Sequence, residues 1–178
     1  NKYINDLGTD QPEVSEQEYE TLKQIIYQPL ETYRVGRNEI TAGTVSPSYL
    51  LPLSGLQRLE KIMDEYVGGA GTRYMTNEPM LTRGLELLKM LKEDLAFLGA
   101  DSLHQLQRSW ELHHRVIASE CVTHHTMYRK ETRWPGYYYR GDHPQLDDKD
   151  WHCFTLSSYN QEADEYSMES APVHHIVD

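Results

Sequence analysis

The stretch DSLHQLQRSWELHHRVIASECVTHHTMYRKE, residues 101–131, decides the fold. It contains no proline and no glycine. Asp101 stands where a helix cap is expected. Leu103, Leu106, Trp110, His113, Ile117, Cys121, His124 and Tyr128 then recur at steps of three and four, the spacing of one helix face. Such a stripe belongs to helices packed nearly antiparallel. Trp134-Pro135-Gly136 breaks the pattern.

Three shorter helices are predicted upstream. Ser15 and Glu18 form a capping box, opening a helix to about Arg34 with Leu22, Ile25, Ile26 and Leu30 on one face. Pro29 should bend or interrupt it. Residues 36–53 are rich in Gly, Ser and Pro and read as a loop. Ser54 and Gln57 suggest a second capping box, followed by Leu56, Leu59, Met63 and Tyr66. Gly68-Gly69-Ala70-Gly71 closes that helix as a turn; its spacing and its place after a helix do not suit a phosphate loop. Asn77-Glu78-Pro79 starts a third helix, with proline where its missing N–H costs little. Its stripes are Leu81, Leu85, Leu88, Leu95 and Leu98, and Met80, Leu87, Met90 and Phe97. A surface so broadly apolar predicts burial on more than one side.

The fold class is therefore mainly α: an antiparallel bundle of three to four helices with an irregular, Tyr-rich C-terminal extension. Residues 1–53 read as an arm, helix and joining loop, 54–133 as the bundle, and 134–178 as extension and tail. Within the extension, His152–Leu156 reads as a short strand and Ser157 to Asp178 as an extended tail.

Composition excludes several function classes. Net charge is -11, from 17 basic and 28 acidic residues, and no basic stripe suits nucleic acid. The uncharged stretch Ile40 to Gln57 holds Gly43, Pro47 and Pro52 and is no membrane span. Cys121 and Cys153 make neither a disulfide framework nor a zinc pattern, which favours a cytoplasmic location.

Histidines offer the first candidate chemistry. His113-His114 and His124-His125 share a helix, but the pairs lie about 16 Å apart along it. Glu120 with His124 and Cys121 with His125 have ligand spacing, yet two ligands are too few for an ion. No metal site is assigned. No G-x-S-x-G elbow is present.

The unusual segment is Arg129 to Trp151. Arg129, Glu131 and Arg133 close the long helix beside Tyr137, Tyr138, Tyr139, Trp134 and Trp151. Arginine favours bidentate pairing with carboxylates and stacking on rings, so a partly buried charged network is expected. Cations there also complement the helix dipole. We take Arg129, Glu131, Arg133, Arg140, Asp142 and Trp151 as candidates for docking against a larger neighbour.

These residues also carry a family resemblance. Arg129, Glu131, Thr132 and Arg133, then Arg140 and Asp142, then Asp147, Asp148 and Trp151 resemble the C-terminal helical domain of the succinate dehydrogenase and fumarate reductase flavoproteins. Met63 to Arg73 resembles that domain's helix-then-Arg element. The run Trp134-Pro135-Gly136-Tyr137-Tyr138-Tyr139-Arg140 and Trp151-His152-Cys153-Phe154 depart from the wider family. They are similar to the alpha-subunit family of dissimilatory adenylylsulfate reductases. The resemblance implies an FAD enzyme that interconverts adenylyl sulfate with sulfite and AMP. It implies two partners: an upstream flavin domain of the same subunit, and an iron–sulfur beta subunit with two [4Fe–4S] clusters. The Rossmann glycine fingerprint is not in this stretch. No catalytic, cofactor-binding or metal residue is transferred onto it. A free-standing helical interaction module is the alternative.

Overall fold

A computed structural model describes residues 14–35, 49–134, 138–160 and 162–173. Four helices dominate: α1 (Glu16–Val35), α2 (Pro52–Tyr66), α3 (Glu78–Asp94) and α4 (Leu103–Tyr128), with a short α5 (Asp148–Trp151). Two strand pairs accompany them. β1 (Met75–Thr76) pairs in parallel with β2 (Tyr139–Arg140), and β3 (Cys153–Asn160) pairs antiparallel with β4 (Glu165–Pro172).

Hydrogen bonds at the helix ends fix their directions. Leu50, just before α2, bridges Leu98, just after α3. At the other end Thr76 Oγ1, just before α3, donates to the Tyr66 carbonyl at 2.6 Å. The start of α2 thus lies beside the end of α3, and the two run antiparallel. α4 starts at Leu103, five residues after Leu98, and returns beside both. Gly55 marks where α2 meets α4, since a Cβ there would stand 2.5 Å from Leu112 Cδ2.

The core between these three helices is Leu59, Ile62, Leu88, Leu91, Leu95, Leu98, Leu112 and Val116. Burying each such side chain contributes about 1.5–3 kcal/mol. Of one predicted stripe of α3, Leu88, Leu95 and Leu98 lie in this core, Leu81 is buried outside it and Leu85 is half-buried, while Leu91, which neither stripe included, joins the core. The other does not close within the described residues, because Met90 and Phe97 are exposed.

The seam of α4 differs from the expected stripe. Its buried positions are Leu106, Ser109, Leu112, Val116, Glu120 and Thr123, so the face toward α2 and α3 is turned by about one residue. The expected stripe forms a second contact line. Ile25 and Gln28 of α1 lie over Trp110, His113, His114 and Ile117, and the β3–β4 hairpin covers Cys121 and His124. Only Leu106 belongs to both lines.

Two caps also shift. α4 is capped by Ser102, which accepts the Gln105 N–H at 3.3 Å, and Asp101 stands one residue before it. α2 begins at Pro52 with no side-chain cap, so Ser54 lies inside its first turn. Two other caps match the sequence. Ser15 and Glu18 bond reciprocally at 2.8 and 3.2 Å, and Asn77 accepts the Met80 N–H at 3.0 Å. The α1 helix runs through position 29.

The extension is more ordered than expected. In place of an extended tail after Ser157, eight residues of β3 pair with eight of β4 from Cys153↔Pro172 to Asn160↔Glu165. Tyr159 and Tyr166 face each other across the strands, ring centroids 4.9 Å apart. Residues 1–13, 36–48, 135–137, 161 and 174–178 lie outside the described residues, and with them the predicted arm and most of the predicted loop.

Candidate functional site

Every candidate docking residue falls within one charged cluster at the end of α4. The helix stops at Tyr128 because Arg129 turns to extended backbone, ψ 112°, its N–H still bonded to the His125 carbonyl at 3.1 Å. The last carbonyls of α4 then point at Arg140. That guanidinium is 1% exposed and donates Nη1 to the carbonyls of Thr126, Met127 (3.3 Å) and Arg129 (3.0 Å). Orphan carbonyls at a helix C-terminus favour such a cation. On its other side Arg140 forms a fork with Asp142: Nε to Oδ1 and Nη2 to Oδ2, both 2.9 Å. Asp142 also accepts the Glu78 N–H at 2.9 Å, in the first turn of α3. Arg140 holds the Asp142 carboxyl well below the usual carboxylate range; burial opposes this, and the Glu78 N–H adds to it.

Glu131 is the second centre, 2% exposed. Arg133 grips it with Nε on Oε1 (2.6 Å) and Nη2 on Oε2 (3.0 Å). Arg129 Nη1 reaches Oε1 at 2.5 Å, and the Asp147 N–H reaches Oε2 at 3.0 Å. Burial pushes the Glu131 pKa up, but the bonds from Arg133, Asp147 and Arg129 outweigh it and leave it lowered. The same arginines hold the α5 turn. Arg129 donates to the carbonyls of Trp151 (2.8 Å) and Cys153 (2.9 Å) and lies 5.8 Å from the Trp151 ring centre. Arg133 Nη1 reaches Asp148 at 2.9 Å.

Thr132 joins the two centres. Its hydroxyl accepts the Arg140 N–H at 3.0 Å and donates to the His143 carbonyl at 2.9 Å. The cluster is thus a clamp that fastens residues 138–153 to the end of the bundle. Its carboxylates are held ionised by guanidinium groups, which suits them to fixed electrostatics and not to carrying protons near neutral pH. Glu78, Asp142 and His143 bring ligand atoms within 4.8 Å of one another. Lys130 on Glu78 and Arg140 on Asp142 already supply the positive charge there.

The histidines play other parts. His124 stacks on Tyr166, ring centroids 4.6 Å apart, and burial and His125 push its pKa down. His125 bonds the hydroxyls of Thr155 and Ser157, each at 3.0 Å. Glu120 pairs with Lys92 at 3.1 Å, and Cys121 lies 3.7 Å from the Ser157 hydroxyl.

Sequence reasoning missed two features. One is the Lys92 clasp, in which Nζ bonds Glu120, Asp164 (2.5 Å) and the Tyr159 hydroxyl (3.3 Å), tying the hairpin turn to the bundle. No local pattern announces contacts 28 to 72 residues apart. The other is an open groove of about 870 Å³ beside the cluster, lined by Met63, Asp64, Val67, Gly68, Val122 and Tyr138. Gly68 has φ +97°, and a Cβ there would stand 2.9 Å from the Tyr138 ring.

The fold and this clamp define a class. The sequence pattern of the fumarate reductase flavoprotein C-terminal family matches residues 56–177, and the chain belongs to that family. Within it, the chain is homologous to adenylylsulfate reductase alpha subunits. It is 40% identical over 158 residues to adenylylsulfate reductase subunit alpha of Megalodesulfovibrio gigas, covering 89% of this chain and 24% of that relative. The structure of adenylylsulfate reductase from Archaeoglobus fulgidus superposes with a TM-score of 0.84 at 46% identity, over 99% of this chain and 27% of that one. The Mycobacterium smegmatis Sdh1 complex shares the fold alone, with a TM-score of 0.67 at 19% identity, over 99% of this chain and 27% of that one. The chain therefore spans about a quarter of the length of these relatives. Among the described residues no helix is long and apolar enough to cross a membrane.

Proposed function

We propose that this chain works as the C-terminal helical domain of an adenylylsulfate reductase flavoprotein subunit. The parent enzyme, in this reading, interconverts adenylyl sulfate with sulfite and AMP in the cytoplasm. FAD supplies the redox chemistry from an upstream domain, and an iron–sulfur subunit with two [4Fe–4S] clusters exchanges electrons with it. The observation that carries the reading is 46% identity to the Archaeoglobus fulgidus enzyme across nearly the whole chain.

The domain's own part is structural. Its buried guanidinium and carboxylate groups are spent on one another, so no catalytic role is given to them. The clamp of Arg129, Glu131, Arg133, Arg140 and Asp142 shapes the edge that docks on the flavin domain, with Trp151 beneath it and Trp134 exposed beside it.

The test is made on the full-length subunit with its iron–sulfur partner. AMP-dependent oxidation of sulfite and bleaching of the flavin band by sulfite are the expected results. A flavoprotein that binds FAD yet oxidises succinate, and ignores AMP and sulfite, would refute the reading. Residues 1–178 alone should bind no FAD.

A further inference from the structure

Two arginines of α4 answer no carboxylate in this chain. Arg108 and Arg115 stand seven residues apart on one face of the helix, both exposed. Among the described residues neither guanidinium has an ion pair, a hydrogen bond or a ring contact. Acidic groups are not scarce, at 28 against 17 basic ones. Nine other lysines and arginines are paired with them. Glu111 lies within one turn of both arginines, and a glutamate four residues before an arginine has the better orientation for a helix ion pair. Its Oε1 instead accepts Gln107 Nε2 at 3.3 Å.

The two arginines border a pocket of about 270 Å³ between α4 and the start of α2. Leu53, Leu56 and Leu112 line it with apolar surface, and Arg108, Glu111 and Arg115 with charge. Leu112 is a core residue, 1% exposed, so that side of the pocket is fixed. Two guanidinium groups against one carboxylate leave the lining net positive. The first turn of α2 adjoins it with no side-chain cap and no acidic residue, so nothing offsets the positive end of that helix. The clamp of Arg140 and Glu131 lies at the other end of α4.

We propose that this pocket binds a small organic phosphate, with the phosphate between Arg108 and Arg115 and the apolar part on the leucines. Its volume falls just below the roughly 300–1,000 Å³ of sites for drug-sized ligands, so the ligand is one phosphate with one small apolar group. Arginine forks match phosphate oxygens in pairs. A phosphate monoester carries about -1.5 to -2 charge at neutral pH and three terminal oxygens, enough for both forks. A carboxylate offers one charge and two oxygens. The leucines separate an apolar ester from inorganic phosphate. A chain of net charge -11 is repelled by anionic membranes, so the ester is a soluble one and not a lipid headgroup. None of this depends on the function proposed above.

Calorimetric titration of the full-length flavoprotein subunit with phenyl phosphate and with inorganic phosphate tests it. Phenyl phosphate should bind at least about tenfold tighter than inorganic phosphate. Arg108→Gln with Arg115→Gln should weaken phenyl phosphate by at least about tenfold, and the difference isolates this pocket from any other phosphate site of the subunit. Glu111→Gln should tighten both probes several-fold by removing a like charge. Leu53→Ser should weaken phenyl phosphate and leave inorganic phosphate unchanged. These four side chains are exposed, and an unaltered Tm checks that each variant folds. Equal affinity of the double arginine variant and the unaltered subunit overturns the proposal, as does the lack of saturable phenyl phosphate binding. Inorganic phosphate bound as tightly as phenyl phosphate overturns the organic ligand. Capture of the unaltered subunit by phosphatidic acid vesicles, lost in the double arginine variant, overturns the soluble one.

Discussion

Arg140 holds Asp142 through two parallel 2.9 Å hydrogen bonds while the same guanidinium caps the last carbonyls of α4. One buried cation thus answers a helix end and a carboxylate that itself receives the first turn of α3.

Removing that cation leaves both groups uncompensated. Arg140→Met should cost about 3–5 kcal/mol, the usual penalty for breaking a buried pair by deleting one partner. Urea denaturation gives the number. Arg140→Lys should fall between, since an ammonium restores charge without the fork.

Stability should fall in acid through this cluster. Asp142 and Glu131 are both lowered in the folded state. Their contribution is present above the unfolded values of about 4 and lost as pH falls through the folded ones. The unfolding free energy should therefore be level in this respect from about pH 6 to 8 and decline below about pH 5. In Asp142→Asn the decline should be shallower. An identical acid slope in that variant would show that Asp142 is not a source of the decline.

The contact between α2 and α4 should tolerate nothing larger than glycine. Gly55→Ala gains about 1 kcal/mol of helix propensity. It also drives a Cβ to 2.5 Å from Leu112 Cδ2, a side chain buried in the core, which must shift. Overpacking costs about 1–3 kcal/mol, so the net change should be destabilising by up to about 2 kcal/mol. Thermal melts of the variant and of Gly55→Ala with Leu112→Val, which should recover part of the loss, measure this.

Lys92 should control the hairpin and leave the bundle alone. Lys92→Met removes the bonds to Asp164 and Tyr159 and leaves Glu120 without its partner. Amide exchange in Cys153–Asn160 and Glu165–Pro172 should accelerate several-fold more than in α2. Equal acceleration in both would mean that the clasp belongs to the global fold.

What the sequence disclosed depended on how local each signal was. The reciprocal bonds of Ser15 and Glu18 span three residues and were readable. So was Asn77, followed by Glu-Pro. Ser54 misled because Pro52, two residues earlier, can open a helix with no side-chain cap at all. The stripe of α4 was read one residue off for a physical reason: the helix is covered along two lines, and the second carries most of its large residues. Of the β3–β4 hairpin only the start was legible, as the strand at His152–Leu156; its continuation and its partner strand were not, because Thr155 and Ser157 face inward through hydroxyls bonded to a histidine and weaken the apolar alternation of β3. Arginine with tyrosine and tryptophan did announce a charged cluster. Its acceptors include the carbonyls of Trp151, Cys153 and Thr126, and backbone acceptors have no sequence signature.

The parallel pairing of Met75–Thr76 with Tyr139–Arg140 also bears on how the chain is made. The Glu78 N–H finds its carboxylate 64 residues later. Closing so long a loop is slow compared with forming the helices it encloses. A ribosome that has released α2, α3 and most of α4 has therefore released a bundle whose last turn still lacks its cation. The nascent chain stays open at that end until Arg140 emerges, and a stop codon placed just before residue 139 should yield a helical but protease-sensitive product.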